Sequence, residues 1–266
     1  MRSAIRMGIV VGWGMCCGAT IASASTAWLG GFTPVAVGES ARAGWVNPAQ
    51  IPFSRQSNVA LEAVWVDGVA DGLSPGEMTY LSAGIGTNLA AYGLQRNFSA
   101  GDGEADWTLS AARPFALGAR SFLGVGLEWE KGDSSELIAT AGFTTLLGRD
   151  LHVGAAVENA FEAGDTRPRL WRGGLAWTRP RFGHLSWDVV QAEEQDAVNW
   201  FGFRLERVRA INLSFHANLD GDFVAAVGLG ASQHAVQGGV RQVDSARDAR
   251  FLAWDWRPQP ASTSAR

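Results

Sequence analysis

Beyond its first residues, the sequence has no apolar run long enough to cross a bilayer as a helix. Such a helix needs roughly 20 mostly apolar residues, and charged or turn-forming residues interrupt every later candidate. Charge is also scarce, since 18% of the 266 residues are charged where a soluble domain carries about a quarter. A net charge of −4 offers no basic surface, so no nucleic acid partner is predicted. The sequence therefore does not favour a helical membrane protein, and the low charge is unusual for a soluble one.

Cysteine is confined to Cys16 and Cys17, which lie inside a predicted export signal. Residues 1–24 combine two arginines, an apolar core over residues 7–21 and an Ala22-Ser23-Ala24 cleavage site. Removal of this signal peptide leaves a mature chain without cysteine, and therefore without disulfides or thiol chemistry. The sequence thus predicts an exported protein that is not a small disulfide-stabilised domain.

The residue patterns of catalysis and metal binding are missing as well. The histidines fall singly on four predicted strands, without the spacing of a metal site. His184, Ser186 and Asp188 share one strand face, but residues two apart on a strand stand about 6–7 Å apart, too far for a nucleophile–base hydrogen bond. We therefore predict no enzymatic activity, no metal and no cofactor.

From residue 57 onward, apolar residues alternate with small or polar ones at every second position. Leu123, Val125, Leu127 and Trp129, for example, alternate with glycines and glutamates. Period two places the two sets on opposite faces of a sheet, and a tilted strand of about 9–11 residues spans a bilayer. We count about fourteen such blocks, and an even number suits a single-chain barrel. The blocks lie near residues 57–66, 77–85, 88–97, 105–112, 121–130, 136–146, 150–158, 169–177, 183–191, 197–206, 210–218, 222–230, 233–242 and 248–256.

A soluble sandwich or calyx would alternate too, but two features favour a membrane barrel. The face opposite the large apolar residues is rich in Gly, Ala, Ser and Thr as well as charge, which suits an interior filled by a small plug. Tryptophans fall toward the block ends, where interfacial girdles lie. We therefore predict an all-β fold, a transmembrane antiparallel up-and-down β-barrel of about 14 strands over residues 57–256 with a short N-terminal plug segment. The girdle tryptophans are Trp65, Trp107, Trp129, Trp171, Trp177, Trp200, Trp254 and Trp256.

Residues 25–56 precede the first strand and lack its alternation, yet they are too apolar for a solvated tail. Residues 39–43 can form about one helical turn, which Asn47 should end because a residue before proline is pushed out of the α region. A compact segment ahead of a run of strands can fill the structure that the strands enclose, so we predict a plug here. Residues 257–266, rich in Pro and Ser, are predicted to be a disordered tail.

The same segment resembles a known family. Its order of Gly-Gly, an apolar patch, an acidic-small pair, an aromatic residue and Asn-Pro-Ala resembles the N-terminal segment of FadL-like outer-membrane proteins, most closely their PorV/PorQ branch. Residues 152–161, 168–177 and 210–230 resemble that family's late strands. The resemblance implies a fourteen-stranded barrel with this segment folded into its mouth. The plug residues are then Gly30, Gly31, Glu39, Arg42, Trp45, Asn47, Pro48 and Ala49.

Polar residues on the face opposite the large apolar ones are predicted to line the lumen. Their mixed charges favour internal ion pairs that fasten the plug, for example through Glu39 or Arg42, and a polar path for a solute is the alternative. The predicted lumen residues are Glu62, Glu128, His152, Arg172, Asp188, Arg204 and His216, together with Glu130, Glu158, Glu206 and Asn218.

Charge also segregates among the predicted connections. Those after odd-numbered strands are acidic, as at residues 193–196, whereas those after even-numbered strands carry Arg113, Arg149, Arg179 and Arg207 among others. With the N-terminus in the periplasm, the acidic connections form an outer rim, and we expect this rim to share divalent cations with lipopolysaccharide phosphates.

Together these patterns predict a protein exported to the bacterial outer membrane, in contact with outer-membrane lipid and lipopolysaccharide. We favour a transporter or channel for hydrophobic or small solutes, or a structural barrel. The resemblance also implies a second function, a PorV-like component of type IX secretion that binds secretion-system proteins. A soluble exported lipid-binding β-protein is the third alternative.

Overall fold

The computed structural model describes residues 33–38, 40–53, 57–66, 77–98, 106–131, 135–161, 168–179, 182–208, 211–231, 234–243 and 247–257. The predicted signal peptide, Gly30, Gly31, Glu39 and the tail from residue 258 lie outside these ranges. Fourteen strands account for most of the described chain. They are β1 (Asn58–Val66), β2 (Glu77–Gly86), β3 (Ala91–Asn97), β4 (Asp106–Ala116), β5 (Ser121–Lys131), β6 (Ser135–Leu147), β7 (Leu151–Glu158), β8 (Leu170–Arg179), β9 (Gly183–Ala192), β10 (Val198–Val208), β11 (Ile211–Asn218), β12 (Phe223–Ala231), β13 (His234–Val243) and β14 (Arg247–Trp256).

These strands form one closed antiparallel barrel, which confirms the predicted fold class. Each strand pairs with its neighbours in sequence, and β1 closes the barrel against β14 through a register that runs from Val59 opposite Trp256 to Val66 opposite Ala249. Closure gives every strand a partner on both sides, which is the condition for a sheet to exist in hydrocarbon.

The strand β4 is longer than its sequence pattern predicts, because it continues through Arg113 and Pro114 to Ala116. Beyond Ala112 it pairs only with β5, since its pairing with β3 ends there. Proline is tolerated at such an edge position, where one side of the strand has no partner. The prediction that Arg113 lies in a connection is therefore wrong. Arg179 and Arg207, also expected in connections, lie in the last residues of β8 and β10.

The pairing register separates inward from outward positions around the whole barrel. Leu127 pairs with Ala111 and Ala139 on the outer face, whereas Glu128 pairs with Ser110 and Ile138 on the inner face. Leu127 is 46% exposed and Glu128 only 6%. Within the described strands, every exposed large apolar side chain occupies an outward register position. These side chains are Leu61, Leu81, Ile85, Tyr92, Leu94, Trp107, Leu109, Phe115, Leu123, Val125, Leu127, Trp129, Leu137, Leu147, Trp171, Leu175, Leu185, Trp187, Phe201, Ile211, Leu213, Phe215, Val227, Leu229, Val236, Val240 and Leu252.

Trp200 is the exception among the predicted girdle tryptophans, and its assignment to the outer face is wrong. It pairs with Asp188 on the inner face and packs against a buried cluster of Leu170, Val190 and Ala192. The outward position next to it belongs to Phe201, which is 48% exposed. Period two puts two adjacent aromatic residues on opposite faces, so only one of this pair can face outward.

The two ends of the barrel differ in their connections. The connections after even-numbered strands and the start of β1 lie at one end, here called the proximal end, and the connections after odd-numbered strands lie at the opposite, distal end. The acidic residues Glu193, Glu194, Asp196 and Asp220 are at the distal end, in the connections after β9 and β11.

Residues 33–38 and 40–53, here called the N-terminal segment, contain the described helical structure. A 3₁₀ turn over Ser40–Arg42 leads into α1 (Ala43–Val46), and a second 3₁₀ stretch covers Pro48–Phe53. Asn47 ends α1 with an extended backbone, φ −153° and ψ 97°, as expected of a residue before proline. No helix in the described part of the chain is long and apolar enough to cross a membrane.

Candidate functional site

The N-terminal segment packs against the inner face of the barrel. Val35, Ala36, Ala43, Ala49 and Ile51 are almost completely inaccessible to solvent. Residues 48–53 pack against β4, β5 and β6, and the 3₁₀ turn before α1 packs against β1, β2 and β3. Residues 40–53 therefore occupy the side of the lumen that is formed by the first half of the barrel.

Inward-facing glycines on β2, β3 and β5 to β8 make room for this segment. A Cβ atom added at Gly93 would overlap the Trp45 ring, one at Gly124 would overlap the backbone of Pro48 and Ala49, and one at Gly142 would overlap Oδ1 of Asn47. Gly173, on the outer face of β8, would by contrast meet no atom within 4 Å. The inward glycines that approach the segment, here called the glycine wall, are Gly86, Gly93, Gly124, Gly126, Gly142, Gly154 and Gly174.

Buried amide groups fix the course of the segment. The Nδ2 group of Asn47 donates hydrogen bonds to the carbonyl oxygens of Val35 (2.8 Å) and Phe143 (3.1 Å). The Nε2 group of Gln50 donates to the carbonyl oxygen of Ala36 and to Oγ1 of Thr144, both at 2.6 Å. Each amide thus links the segment both to itself and to β6, so that its backbone carbonyls keep hydrogen-bond partners away from water.

Two further contacts tie the segment to strands on other sides of the barrel. Oδ1 of Asp188 on β9 accepts a hydrogen bond from the backbone N–H of Val35 at 2.7 Å. The guanidinium of Arg42 lies 2.9 Å from the carboxylate of Glu62 on β1, whose side chain is 1% exposed. At such burial a carboxylate is tolerated only with partners, so this ion pair accounts for the presence of both charges in the interior.

The residues predicted for a plug and for the lumen can now be located. Arg42, Trp45, Asn47, Pro48 and Ala49 all lie in the buried part of the N-terminal segment. Ten of the predicted lumen residues occupy inward register positions; they are Glu62 (β1), Glu128 and Glu130 (β5), His152 and Glu158 (β7), Arg172 (β8), Asp188 (β9), Arg204 (β10), and His216 and Asn218 (β11). Glu206 belongs to β10, but its side chain lies outside the described part of the structure.

These lumen residues do not form one cluster. Arg172 lies 3.9 Å from Glu158, forming a buried pair between β7 and β8. The His152 ring meets the Phe53 ring edge to face, with centroids 5.3 Å apart, close to the proximal turn after β6. Arg204 and His216 lie on two other strands, β10 and β11. In the described residues no group of three His, Cys, Asp or Glu side chains could hold a metal ion.

The sequence patterns missed several residues of this interior. Gln50, Asn58 and Thr144 each make buried hydrogen bonds to the segment or within it, but a single polar residue in a short turn, at a strand start or within a strand carries no signal for such a role. The glycine wall did leave a signal, because small residues recur at the inward positions. What the pattern lacked was the identity of the partner that each glycine accommodates.

A small cavity remains between the N-terminal segment and the opposite wall. Its volume is about 40 Å³, and Thr33, Pro34, Val37 and Arg42 form its segment side. Strands β9 to β13 form the other side. Their contributions are His184, Arg204, Ser214, His216, Val224 and Gln237. The described part of the N-terminal segment thus fills the lumen beside the glycine wall, and a small space remains beside β9 to β13.

This geometry defines a class of protein: a closed barrel with an apolar outer face and a polar interior occupied by its own N-terminal segment. No protein-family model and no curated protein sequence matches the chain. Solved structures do match. The chain is similar to the Ralstonia pickettii toluene transporter TbuX, with a TM-score of 0.60 and 10% identity over 85% of this chain and 98% of the other.

Two further transport proteins show the same likeness. The P. putida toluene transporter TodX matches with a TM-score of 0.58 and 9% identity, over 87% of this chain and 100% of the other. The CymD monoaromatic hydrocarbon channel matches with a TM-score of 0.58 and 9% identity, over 89% and 97%. Such low identities establish the fold alone, which is that of a closed antiparallel β-barrel. The narrower resemblance to the PorV/PorQ branch gains no support and stays a prediction.

Proposed function

We propose that the protein spans the bacterial outer membrane and transports small hydrophobic solutes through a barrel that its N-terminal segment plugs. The observation that carries this proposal is the sorting of exposed large apolar residues onto the outer face of a closed barrel. In water, such a surface would be an extended apolar patch of a kind that soluble monomers do not expose. In a bilayer, the same surface is solvated by hydrocarbon, and the closed sheet satisfies its own backbone groups.

The ends of the strands support the membrane assignment independently. Outward aromatic residues near both ends of the barrel stack with arginines, as Arg96 does with Trp107 at the distal end and Arg179 with Trp177 at the proximal end. Amphipathic rings and long basic side chains at these levels are typical of membrane–water interfaces. Phospholipid and lipopolysaccharide headgroups are the partners that we propose for them.

Transport, rather than an enzymatic or purely structural role, is supported by the interior. The segment is attached through hydrogen bonds at Asp188 and Asn47 and through an ion pair at Arg42, and a cavity remains beside it. A barrel with only a structural role needs neither an N-terminal segment held by a few separate contacts nor residual space in its interior. The solute class is suggested by TbuX, TodX and CymD, which are transporters or channels for toluene and monoaromatic hydrocarbons.

Uptake of radiolabelled toluene into cells that produce the protein tests this function. We expect cells with the protein to accumulate label faster than cells with the empty vector. The protein itself should fractionate with the outer membrane and migrate differently on a denaturing gel before and after boiling. Uptake equal to that of the vector control would reject transport of this solute class, and a protein recovered in the soluble fraction would reject the membrane assignment.

A deletion tests the plug role separately. Removal of residues 30–47 should raise the conductance of the purified protein in a planar bilayer, because the space beside the glycine wall would then be open. An unchanged conductance would mean that this segment does not control the opening of the barrel.

A further inference from the structure

Three exposed arginines lie near one another at the proximal end of the barrel. Arg113 is on the outer face of β4, Arg120 in the turn between β4 and β5, and Arg149 in the turn between β6 and β7. In the part of the chain that the structure describes, none of the three forms an ion pair with a carboxylate. These three residues are here called the arginine band.

Hydrogen bonds hold the two turns of the arginine band together. Nη1 of Arg120 donates to the carbonyl oxygen of Gly148 at 3.3 Å. The carbonyl oxygen of Arg120 in turn accepts a hydrogen bond from the backbone N–H of Leu146 at 2.9 Å. Arg149 directly follows the residue that Arg120 contacts, so the two cations are presented side by side on linked turns.

Exposed apolar side chains border the arginine band. Phe115, Leu117 and Leu147 are 48%, 60% and 52% exposed. The Arg113 guanidinium lies over the Phe115 ring, 5.8 Å from its centroid. Phe115 and Leu147 occupy outward positions, so this border continues the apolar outer face of the barrel. A partner of the arginine band therefore meets cations and apolar side chains at the same level.

The positive charge at the proximal end is only partly balanced by carboxylates of the protein. Asp150 follows Arg149 in the same turn, but its Oδ2 atom lies 3.7 Å from Nε of Arg179 at the end of β8. The described connections over residues 117–120 and 148–150 contain no other acidic residue. The arginine band thus retains its charge for a partner outside the chain.

The distal connections after β9 and β11 have the opposite sign. Their described residues, 193–197 and 219–222, include no basic residue. An anionic partner is therefore attracted to the proximal end and repelled by this part of the distal end. The acidic residues of these two connections are Glu193, Glu194, Asp196, Asp220 and Asp222.

We propose that the arginine band binds anionic phospholipids of the periplasmic leaflet through the phosphodiester groups of their headgroups. Guanidinium groups match phosphate in geometry and charge. The apolar border favours a lipid over an acidic protein, because exposed side chains such as Leu117 and Leu147 can contact the acyl chains below the headgroups. The proposal rests on the proposed function, in which the barrel spans the outer membrane with its proximal end toward the periplasm. It adds a selectivity for charge at one end of the barrel.

Local quenching by brominated lipids tests the proposal on the purified mature protein in vesicles. The sequence predicts that the mature chain lacks cysteine, so one fluorophore can be attached at a chosen position. A label on Leu147→Cys reports the lipids beside the arginine band. A label on Leu137→Cys reports those toward the distal end of the same strand and on the same outer face. The vesicles combine phosphatidylcholine with phosphatidylglycerol, and each lipid is brominated in turn.

We expect phosphatidylglycerol to associate about fivefold more strongly than phosphatidylcholine beside Leu147, since one basic side chain near anionic lipid has about this effect. The preference beside Leu137 should be clearly smaller. Equal association of both lipids beside Leu147 would overturn the proposal and favour an acidic protein as the partner of the arginine band. The same preference at both labels would overturn it too, because the selectivity would then not belong to the proximal end.

Variants test whether the arginines cause the selectivity. Arg120→Gln combined with Arg149→Gln should bring the lipid preference beside Leu147 close to one. Lys131→Gln, which removes a cation at the distal end of β5, should leave this preference unchanged. Heat-modifiable migration checks that each variant is folded; should the double variant not fold, Arg149→Gln alone gives the decision. An unchanged preference in the folded arginine variants would reject the proposal.

The labels also separate this proposal from the membrane assignment on which it rests. Absence of quenching by either lipid at both labels would reject the membrane assignment, and the lipid selectivity with it. Quenching at both labels without any lipid preference would support the membrane assignment and reject only the selectivity.

Discussion

The backbone N–H of Val35 donates a 2.7 Å hydrogen bond to Oδ1 of Asp188, a residue 153 positions further along the chain. Both groups are buried, with Val35 1% and Asp188 2% exposed. Gly174 on the adjacent strand lies opposite Asp188, and a side chain there would meet the carboxylate oxygen at 2.5 Å. The start of the described chain is therefore attached to the second half of the barrel wall at one well-defined point.

Removal of this attachment should loosen the N-terminal segment. Asp188→Ala leaves the Val35 N–H without its acceptor, and a buried donor that loses its partner costs about 1–3 kcal/mol. We expect more frequent or larger openings in single-channel recordings of the purified protein. Asp188→Asn, which keeps a carbonyl acceptor at this position, should behave more like the unmodified protein. Identical recordings from Asp188→Ala and the unmodified protein would show that this bond does not hold the segment closed.

The glycine wall allows a test in which a side chain is added to the wall, whereas the previous test removes a hydrogen bond. Gly142→Ala places a methyl group where Oδ1 of Asn47 lies, so the hydrogen bonds of Asn47 to Val35 and Phe143 have to shift. We expect a higher conductance from this single methyl group. Gly173→Ala is the matched control, because its methyl group meets nothing within 4 Å and the loss of glycine flexibility is the same. Equal conductance of the two variants would mean that the inner wall tolerates a displaced segment.

The fold could be predicted from the sequence because the two faces of each strand lie in different environments. Hydrocarbon selects large apolar residues at outward positions, such as Leu213 and Phe215, while the crowded interior selects small or polar ones. The resulting alternation identifies membrane-spanning strands even though the sequence has no long apolar run of the kind that identifies a membrane helix. The alternation was misjudged at two places. The predicted fourth block ended at residue 112 although β4 continues along β5, and Trp200 was grouped with outward tryptophans although its position is inward.

The interior was predicted only in part, for a different physical reason. Alternation tells which residues face the lumen, including Asp188 and Arg204, but not which of them meet. Those contacts depend on how strands distant in sequence are staggered around the barrel and on the course of a segment without regular alternation. Gln50 could not be recognised, because its partners Ala36 and Thr144 come together only in the closed barrel.

The ion pair between Arg42 and Glu62 should contribute strongly to stability. Removing one member of a buried pair costs about 3–5 kcal/mol, whereas removing both costs less because no charge is left behind. Denaturant unfolding of Arg42→Ala, Glu62→Ala and the double variant in vesicles measures this directly. We expect the double variant to be more stable than the sum of the single losses implies, with a coupling energy of about 0.5–3 kcal/mol. Strictly additive losses would show that the two groups do not interact in the folded protein.

The outer face is tested by placing the same charge at two depths of one hairpin. Leu127 lies on the outer face of β5 and Leu117 in the proximal turn between β4 and β5, and both side chains are exposed. An arginine near the bilayer midplane costs about 2–4 kcal/mol, and near the interface about 0–1 kcal/mol. Reversible unfolding from lipid vesicles should therefore show a much larger loss of stability for Leu127→Arg than for Leu117→Arg.

The comparison is informative because chemistry and hairpin are constant, so only the surrounding medium differs. A wall in water would accept both arginines at little cost, since both positions are accessible. A wall packed against another protein sheet would instead penalise Leu127→Arg in detergent and lipid alike. A penalty at Leu127 that shrinks when the bilayer is made thinner is expected only if hydrocarbon surrounds β5, because a thinner bilayer brings the arginine closer to water.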